Sequence, residues 1–170
     1  MVSQRKVKIL IKGNYAQMKI LFLMPPTNLS RSYGELKSFS NPQPSLGIAY
    51  IAAVLREKGY ETEIIDAYVS GYNLTEIMEL IKKSCCDILG LGVLTPSAEV
   101  VCEISRNVRK LLPDIKIVMG NLHASLFSDE MLSKNYADYV VHREGEVTMI
   151  EFLKAIEKKA RLSMSKAYPI

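Results

Sequence analysis

Two glycines interrupt an apolar segment at the place where branched side chains would pack best. The stretch LGLGVLTPSAE, residues 89–99, has the character of a strand that leads into a helix, yet it contains Gly90 and Gly92. Glycine weakens a strand and commonly marks a bulge or a close approach by a ligand or another backbone. The pattern predicts that something comes close to this backbone, and it leaves open whether that is a ligand or the protein itself.

Side chains that hold metal ions or drive catalysis are scarce. The sequence has two histidines, His123 and His142, and three cysteines, Cys85, Cys86 and Cys102. Their spacing fits neither a zinc site nor a disulfide framework, so we predict no metal ligand and no catalytic residue, and we interpret the cysteines as buried structural thiols. The patterns GxGxxG and GxxxxGK[ST], which bind dinucleotides and phosphates, are absent as well.

Composition narrows the class of protein. The 170 residues are 48% hydrophobic, which suits one globular domain. The net charge of +4 comes from the first 17 residues, because 18 basic residues balance 18 acidic ones in the remainder. We therefore expect no nucleic-acid partner. No apolar run reaches the length of a membrane span and no signal peptide is recognisable, so we also expect no membrane partner and a cytoplasmic location.

Apolar runs alternate with segments of helical periodicity. Strands are predicted over residues 18–24, 61–66, 87–94, 116–120 and 138–142. Helices are predicted between them and after the last one, with N-caps at Ser45 and Asn73. This alternation predicts an α/β fold of three layers, Rossmann-like and specifically flavodoxin-like, with a five-stranded parallel sheet in the order 2-1-3-4-5.

In such a sheet the ligand lies outside the carboxyl ends of the strands, where the strand order reverses between the first and third strands. The segments at that edge are residues 25–45, LTPSA, the GNLHAS segment, which we interpret as a loop, and HREGE. The first of these has about twenty residues. A connection of that length is usually functional or disordered, so we predict that it folds over a ligand as a lid.

Five blocks of the sequence, in order, resemble one known family. They are MKILFLMPPTN, PSLGIAYIAAVLREKGYETEIIDA, DILGLGVLTPS, LLPDIKIVMGNLHAS and VVHREGEVTMIEFLKAIE. Together they are similar to the N-terminal cobalamin-binding domain of cobalamin-dependent radical SAM enzymes. The resemblance implies a cobalamin-binding domain over residues 18–159. It also implies that residues 1–17 are an extension, either an edge strand or a non-native start, and that residues 160–170 are a tail or a linker to a catalytic domain.

The resemblance places the family's short motifs on three segments. These are Gly92-Val93-Leu94, where the family's serine is absent, Gly120-Asn121, and Arg143-Glu144-Gly145-Glu146. Asn121 and Arg143 stand where the family has glycine. In the family, the nucleotide tail of cobalamin lies between strands against bare backbone. The implied cofactor-binding residues are Pro26, Thr27, Gly92, Val93, Leu94, Thr95, Ser97, Gly120, Asn121, His123, Glu144, Gly145 and Glu146.

The family resemblance also bears on the metal and on catalysis. Residues 25–45 contain no histidine, which implies cobalamin bound base-off without a histidine ligand. DAYVSG, residues 66–71, imitates the family's histidine spacing with Tyr68, but it follows the second strand and is interpreted as coincidence. The CxxxCxxC pattern of radical SAM chemistry is absent, so the iron-sulfur cluster and S-adenosylmethionine are expected only in a partner barrel domain outside this chain.

Three functions remain open from the sequence. The first is a cofactor domain for a radical SAM methyltransferase or oxidoreductase, with a corrinoid and a radical SAM barrel as partners. The second is a degenerate domain that only mediates contacts, which Asn121 in place of glycine favours. The third is a domain that binds another small ligand, such as a nucleotide, at the same edge of the sheet.

Overall fold

A computed structural model describes residues 18–27 and 43–167, with side chains to residue 158. One parallel sheet contains β1 (Lys19–Met24), β2 (Glu61–Asp66), β3 (Ile88–Gly92), β4 (Lys116–Gly120) and β5 (Tyr139–Val140). Its order is β2-β1-β3-β4-β5, so the predicted fold class and strand order are confirmed. β3 and β5 are shorter than predicted. The predicted extension, residues 1–17, and most of the predicted lid lie outside the described residues.

Helices cover both faces of the sheet. They are α1 (Leu46–Glu57), α2 (Ala67–Ser70), α3 (Leu74–Ser84), α4 (Ala98–Leu111), α5 (Leu122–Leu126), α6 (Ser128–Ser133) and α7 (Gly145–Ala167). A 3-10 turn, Thr95–Ser97, precedes α4. α7 continues beyond residue 159, where the tail was predicted to begin. Within the described residues, none of these helices is both long and apolar enough to cross a bilayer.

The predicted helix starts are confirmed at Ser45 and Asn73, but the two residues act differently. Asn73 forms a capping box with Glu76, in which each side chain accepts a hydrogen bond from the other residue's backbone N–H. The Ser45 side chain makes no capping hydrogen bond. Its backbone N–H instead donates to Oδ2 of Asp66, at 3.2 Å, while Oδ1 of Asp66 accepts from the N–H of Val69. Asp66 therefore holds the start of α1 against the end of β2.

The interpretation of GNLHAS as a loop is wrong, because α5 begins within it at Leu122. Both leucines of α5, Leu122 and Leu126, are largely exposed, at 63% and 69%. A five-residue helix whose leucines face outward lacks the buried apolar stripe by which helices are recognised in a sequence.

The interpretation of all three cysteines as buried thiols is also wrong, because Cys85 is exposed. It is the C-cap of α3 and has a left-handed backbone, with φ of +51°. Cys86 is buried, as predicted. Cys102 is half-buried, and burial raises the pKa of its thiol.

Side chains of the central strands alternate between the two faces of the sheet. One face packs on α3 and α4 and carries large side chains, namely Leu21, Leu23, Leu89, Leu91, Ile117 and Met119. We call it the closed face. The other, which packs on α1 and α7, carries Ile20, Phe22, Met24, Ile88 and Val118, and the same alternation assigns Gly90, Gly92 and Gly120 to it. We call it the open face.

Candidate functional site

A cavity of about 250 Å³ lies between the open face and the helices α1 and α7. It is located at the carboxyl ends of β1, β3 and β4, where the strand order reverses. The backbones of Gly90, Gly92 and Gly120 form its floor. Most of its wall is apolar and consists of Phe22, Ile48, Ile51, Val118, Val141 and Met149. This is the edge at which the fold predicts a ligand.

The two glycines of β3 have different neighbours. A Cβ atom on Gly90 would lie 2.7 Å from Cδ1 of Phe22, so the ring of Phe22 lies directly on this backbone. A Cβ atom on Gly92 would lie 3.2 Å from Sδ of Met24 and 3.4 Å from Cδ1 of Ile48. Both of those atoms are ends of flexible side chains. The protein approaches both glycines, most closely at Gly90, and Gly92 also lines the cavity.

Gly92 and Gly120 are partners in the register of β3 and β4. Side chains are therefore missing at neighbouring positions of two adjacent strands, at the end where the cavity opens. A Cβ atom on Gly120 would have only ordinary contacts, 3.8 Å from the carbonyl oxygen of Val141 and 4.0 Å from its Cβ. The bare backbone at this pair widens the cavity.

Gly145 allows α7 to begin close to α1. A Cβ atom at Gly145 would lie 2.5 Å from Cδ1 of Ile51, which no side chain could occupy without displacing Ile51. The first turn of α7 is also held by Thr148, whose hydroxyl donates to the carbonyl oxygen of Glu144 at 2.9 Å. The wall formed by the two helices thus depends on a glycine at this position.

Polar residues surround the cavity at its rim. They are Ser45, Asn121, Arg143, Glu144 and Glu146. Asn121 has φ of +78° and ψ of 178°, and Arg143 has φ of +60°, although neither is glycine. The Asn121 side chain accepts a hydrogen bond from the N–H of Leu122 at 2.7 Å. Such backbone conformations cost about 1–3 kcal/mol each and cluster at ligand sites.

Six of the residues implied by the family resemblance line the cavity. They are Gly92, Gly120, Asn121, Glu144, Gly145 and Glu146. Val93 instead is fully buried in the closed face. Leu94 packs against the cluster of the open face without lining the cavity. The Ser97 hydroxyl donates to the carbonyl oxygen of Leu94 and accepts from its N–H, so it stabilises the turn before α4.

Thr95 and His123 lie together at the same edge of the sheet, outside the cavity lining. Oγ1 of Thr95 and Nδ1 of His123 are 3.2 Å apart, and the His123 ring packs on Phe127. Pro26 and Thr27 follow β1, also outside the lining. Oγ1 of Thr27 is buried and has no hydrogen-bond partner within residues 18–27 and 43–158.

The sequence did not predict as cavity residues the N-cap Ser45, the helix residues Ile48, Ile51 and Met149, or Phe22 on β1. One signal was available. Gly90, Gly92 and Gly120 all fall on one face by alternation, so the helices that pack on that face were the place to search for the opposite wall.

Comparisons with known proteins show the family to which the chain belongs. The family model described as B12 binding domain matches residues 36–153. An uncharacterized methyltransferase of Pyrococcus horikoshii is 32% identical over 152 residues, which cover 85% of this chain and 31% of that protein. The anaerobic magnesium-protoporphyrin IX monomethyl ester cyclase of Synechocystis sp. is 28% identical over 143 residues, which cover 82% of this chain and 28% of the relative.

Among solved structures, the radical S-adenosylmethionine methyltransferase TsrM from Kitasatospora setae has a similar fold. The TM-score is 0.67 at 17% sequence identity, and the match covers 84% of this chain and 26% of that chain. This chain thus spans about a third or less of the length of the curated relatives it matches.

Proposed function

The chain belongs to the B12-binding domain family, and on this premise we propose that it binds cobalamin with the nucleotide tail in the cavity of the open face. The match to this family model confirms the family that the sequence predicted. The observation that carries the proposal is the cavity itself. It lies at the reversal of strand order and is floored by glycines on two adjacent strands.

The cavity fits the tail in size and in chemistry. A dry cavity of about 150 Å³ accommodates benzene, so about 250 Å³ suits a bicyclic base. The apolar wall suits the faces of that ring. At the rim, the N-terminus of α7 and the Arg143 side chain supply donors for the ribose and phosphate. A side chain at Gly92 would take up part of this space.

We propose further that the cobalamin is bound base-off and without a histidine ligand. Among the described lining residues none is histidine, and Nδ1 of the nearby His123 is within hydrogen-bond distance of Thr95. When bound, the cobalt of cobalamin supplies methyl transfer or one-electron chemistry. The role of this chain is to bind and orient the corrinoid and to keep water away from its base.

The partner in this proposal is a radical SAM barrel, which would bring the iron-sulfur cluster and S-adenosylmethionine. The names of the relatives, two methyltransferases and a cyclase, support a methyltransferase as the whole protein, and an oxidoreductase stays the alternative prediction. The short share of those relatives that this chain covers supports a further domain. In that assembly Pro26, Thr27, Leu94, Thr95 and His123, which lie outside the cavity, contact the corrin ring or its side chains.

The experiment is to mix the purified chain with hydroxocobalamin, separate the mixture by gel filtration, and record the absorption spectrum of the protein peak. Cobalamin should elute with the protein and show a base-off spectrum. Elution of free cobalamin only would contradict the proposal. A co-eluting cofactor with an unchanged base-on spectrum would contradict the base-off mode alone.

A domain that only mediates contacts is the second candidate, and Asn121 favours it. This side chain occupies a cavity position at which the family has glycine. A thermal-shift screen with corrinoids and nucleotides separates the candidates. Corrinoids alone should raise the midpoint of unfolding under the first proposal, nothing should raise it for a contact domain, and nucleotides should raise it for a binder of another small ligand.

A further inference from the structure

Ser45 is the only residue with a hydroxyl among the described residues that line the cavity. Ser45 is half-buried. Its hydroxyl makes no cap hydrogen bond to α1 and has no other hydrogen-bond partner in the described part of the chain. A serine at an N-cap normally uses its oxygen to accept from the first turn of the helix. Here that oxygen is available to a ligand.

The backbone of Ser45 is held in place although its side chain is free. Its N–H donates to Oδ2 of Asp66, and its carbonyl oxygen accepts from the N–H of Ala49. Both bonds fix the residue beside Gly47 and Ile48, which also line the cavity. A hydroxyl on an anchored backbone loses little freedom when it binds a ligand.

We propose that the hydroxyl of Ser45 donates a hydrogen bond to the ring nitrogen of the corrinoid's nucleotide base, so that Ser45 selects for bases that carry this nitrogen. The inference rests on the proposed function. A benzimidazole base released from cobalt exposes a nitrogen lone pair, and in an apolar cavity an unpaired acceptor is costly.

The other polar side chains that line the cavity are less suited to donate a hydrogen bond to a ring nitrogen. Glu144 and Glu146 are acceptors when ionised. Arg143 is exposed, and its guanidinium matches a phosphate better than a neutral nitrogen. Asn121 carries a neutral amide donor, but its side chain is exposed and its orientation is set by the bond that Oδ1 accepts from the N–H of Leu122. Ser45 is a neutral donor that adjoins the apolar wall.

The test compares three corrinoids by equilibrium titration: cobalamin, a phenolyl cobamide whose base is a phenol ring without nitrogen, and cobinamide, which lacks the nucleotide. The wild-type chain, Ser45→Ala and Ser45→Thr are measured with each. Ser70→Ala is the matched control, because Ser70 is exposed and outside the cavity lining.

Ser45→Ala should weaken cobalamin binding by about threefold to tenfold, the range for one neutral hydrogen bond, and leave the phenolyl cobamide and cobinamide unchanged. Ser45→Thr, which keeps the hydroxyl, should retain most of the affinity for cobalamin. Ser70→Ala should behave as wild type with all three.

An equal loss for cobalamin and the phenolyl cobamide, or no loss for either, overturns the proposal for Ser45 while the proposed function stands. If Ser45→Ala does not fold, Ser45→Gly takes its place, because glycine is accepted at an N-cap and also lacks the hydroxyl, and an equal loss for cobalamin and the phenolyl cobamide in that variant overturns the proposal. If the wild-type chain binds none of the corrinoids, the proposed function fails, and the role of Ser45 fails with it.

Discussion

The closed and open faces of the sheet are built from the same central strands, yet they differ at their carboxyl ends. On the closed face, Leu23, Leu91 and Met119 are at most 2% exposed and fill the space under α3 and α4. On the open face, the neighbouring positions of β3 and β4 are Gly92 and Gly120, and a cavity takes the place of side chains. The comparison shows that one strand can fill a core with one set of alternate residues and leave a cavity beside the other.

If the closed face carries stability, removing a large side chain there should have the largest effect on folding. Leu89→Ala deletes a fully buried side chain that does not line the cavity. We expect the free energy of unfolding to fall by about 2–5 kcal/mol, as in other buried leucine truncations. Urea denaturation measures this change. Cobalamin affinity, titrated where the variant is folded, should stay as in wild type, and a parallel loss of affinity would argue against a division between the faces.

The opposite result is expected on the open face. Gly92→Val places methyl groups in the cavity and crowds Sδ of Met24, so we expect cobalamin affinity to fall by about tenfold or more. The loss of stability should be smaller than for Leu89→Ala, because valine suits a strand and the crowded atoms are flexible. Titration and urea denaturation check the two expectations.

Gly71→Asn is the control for that variant. Gly71 has nothing within 4 Å of its would-be Cβ atom and a left-handed backbone that asparagine tolerates. It should bind cobalamin as wild type does. Full affinity in Gly92→Val would instead place the tail elsewhere.

A third test compares two glycines within the open face. In Gly90→Ala the new Cβ atom would lie 2.7 Å from the Phe22 ring, which must move, so we expect a loss of about 1–2 kcal/mol of stability. In Gly120→Ala the nearest atom would lie 3.8 Å away, and we expect a change within about 0.5 kcal/mol. Thermal unfolding of both variants measures the difference. Equal midpoints would mean that the Phe22 ring adapts without cost.

The last expected effect is a gain in stability. Asn121→Gly relieves the backbone at φ of +78° and ψ of 178° but loses the bond to Leu122, so we expect about 1 kcal/mol of added stability. Asn121→Ala is the matched control, because it loses the same bond and keeps the strain. It should unfold at a lower temperature than wild type, and a midpoint above wild type for both variants would count against strain as the cause.

The sequence predicted the sheet because β1, β3 and most of β4 are apolar runs, and burial on both faces leaves few alternatives for these central strands. It also predicted the edge of the sheet at which the cavity lies. The sequence did not predict the cavity wall that α1 and α7 form, because Ile51 and Met149 have the spacing of ordinary core residues on amphipathic helices. Only the packing of α1 against α7 at Gly145 distinguishes them from such residues.

The sequence also did not predict the short helix α5. Its leucines, Leu122 and Leu126, are exposed, so the sequence lacks the apolar periodicity by which a helix is recognised. The sequence did not predict the backbone of Asn121, with φ of +78° and ψ of 178°, since both angles depend on how the chain leaves β4. Such details depend on tertiary packing, which a single sequence does not reveal.

The register of β3 has a consequence for how the chain reaches its native state. Gly90 pairs with Phe22 and Gly92 pairs with Gly120. A slip of β3 by one residue would turn Leu89 and Leu91 into the cavity and move both glycines into the core under α3 and α4. A mispaired chain would therefore lose its cavity and its largest core side chains together. The alignment of β3 that gives a stable core is thus the same alignment that places the glycines on the open face.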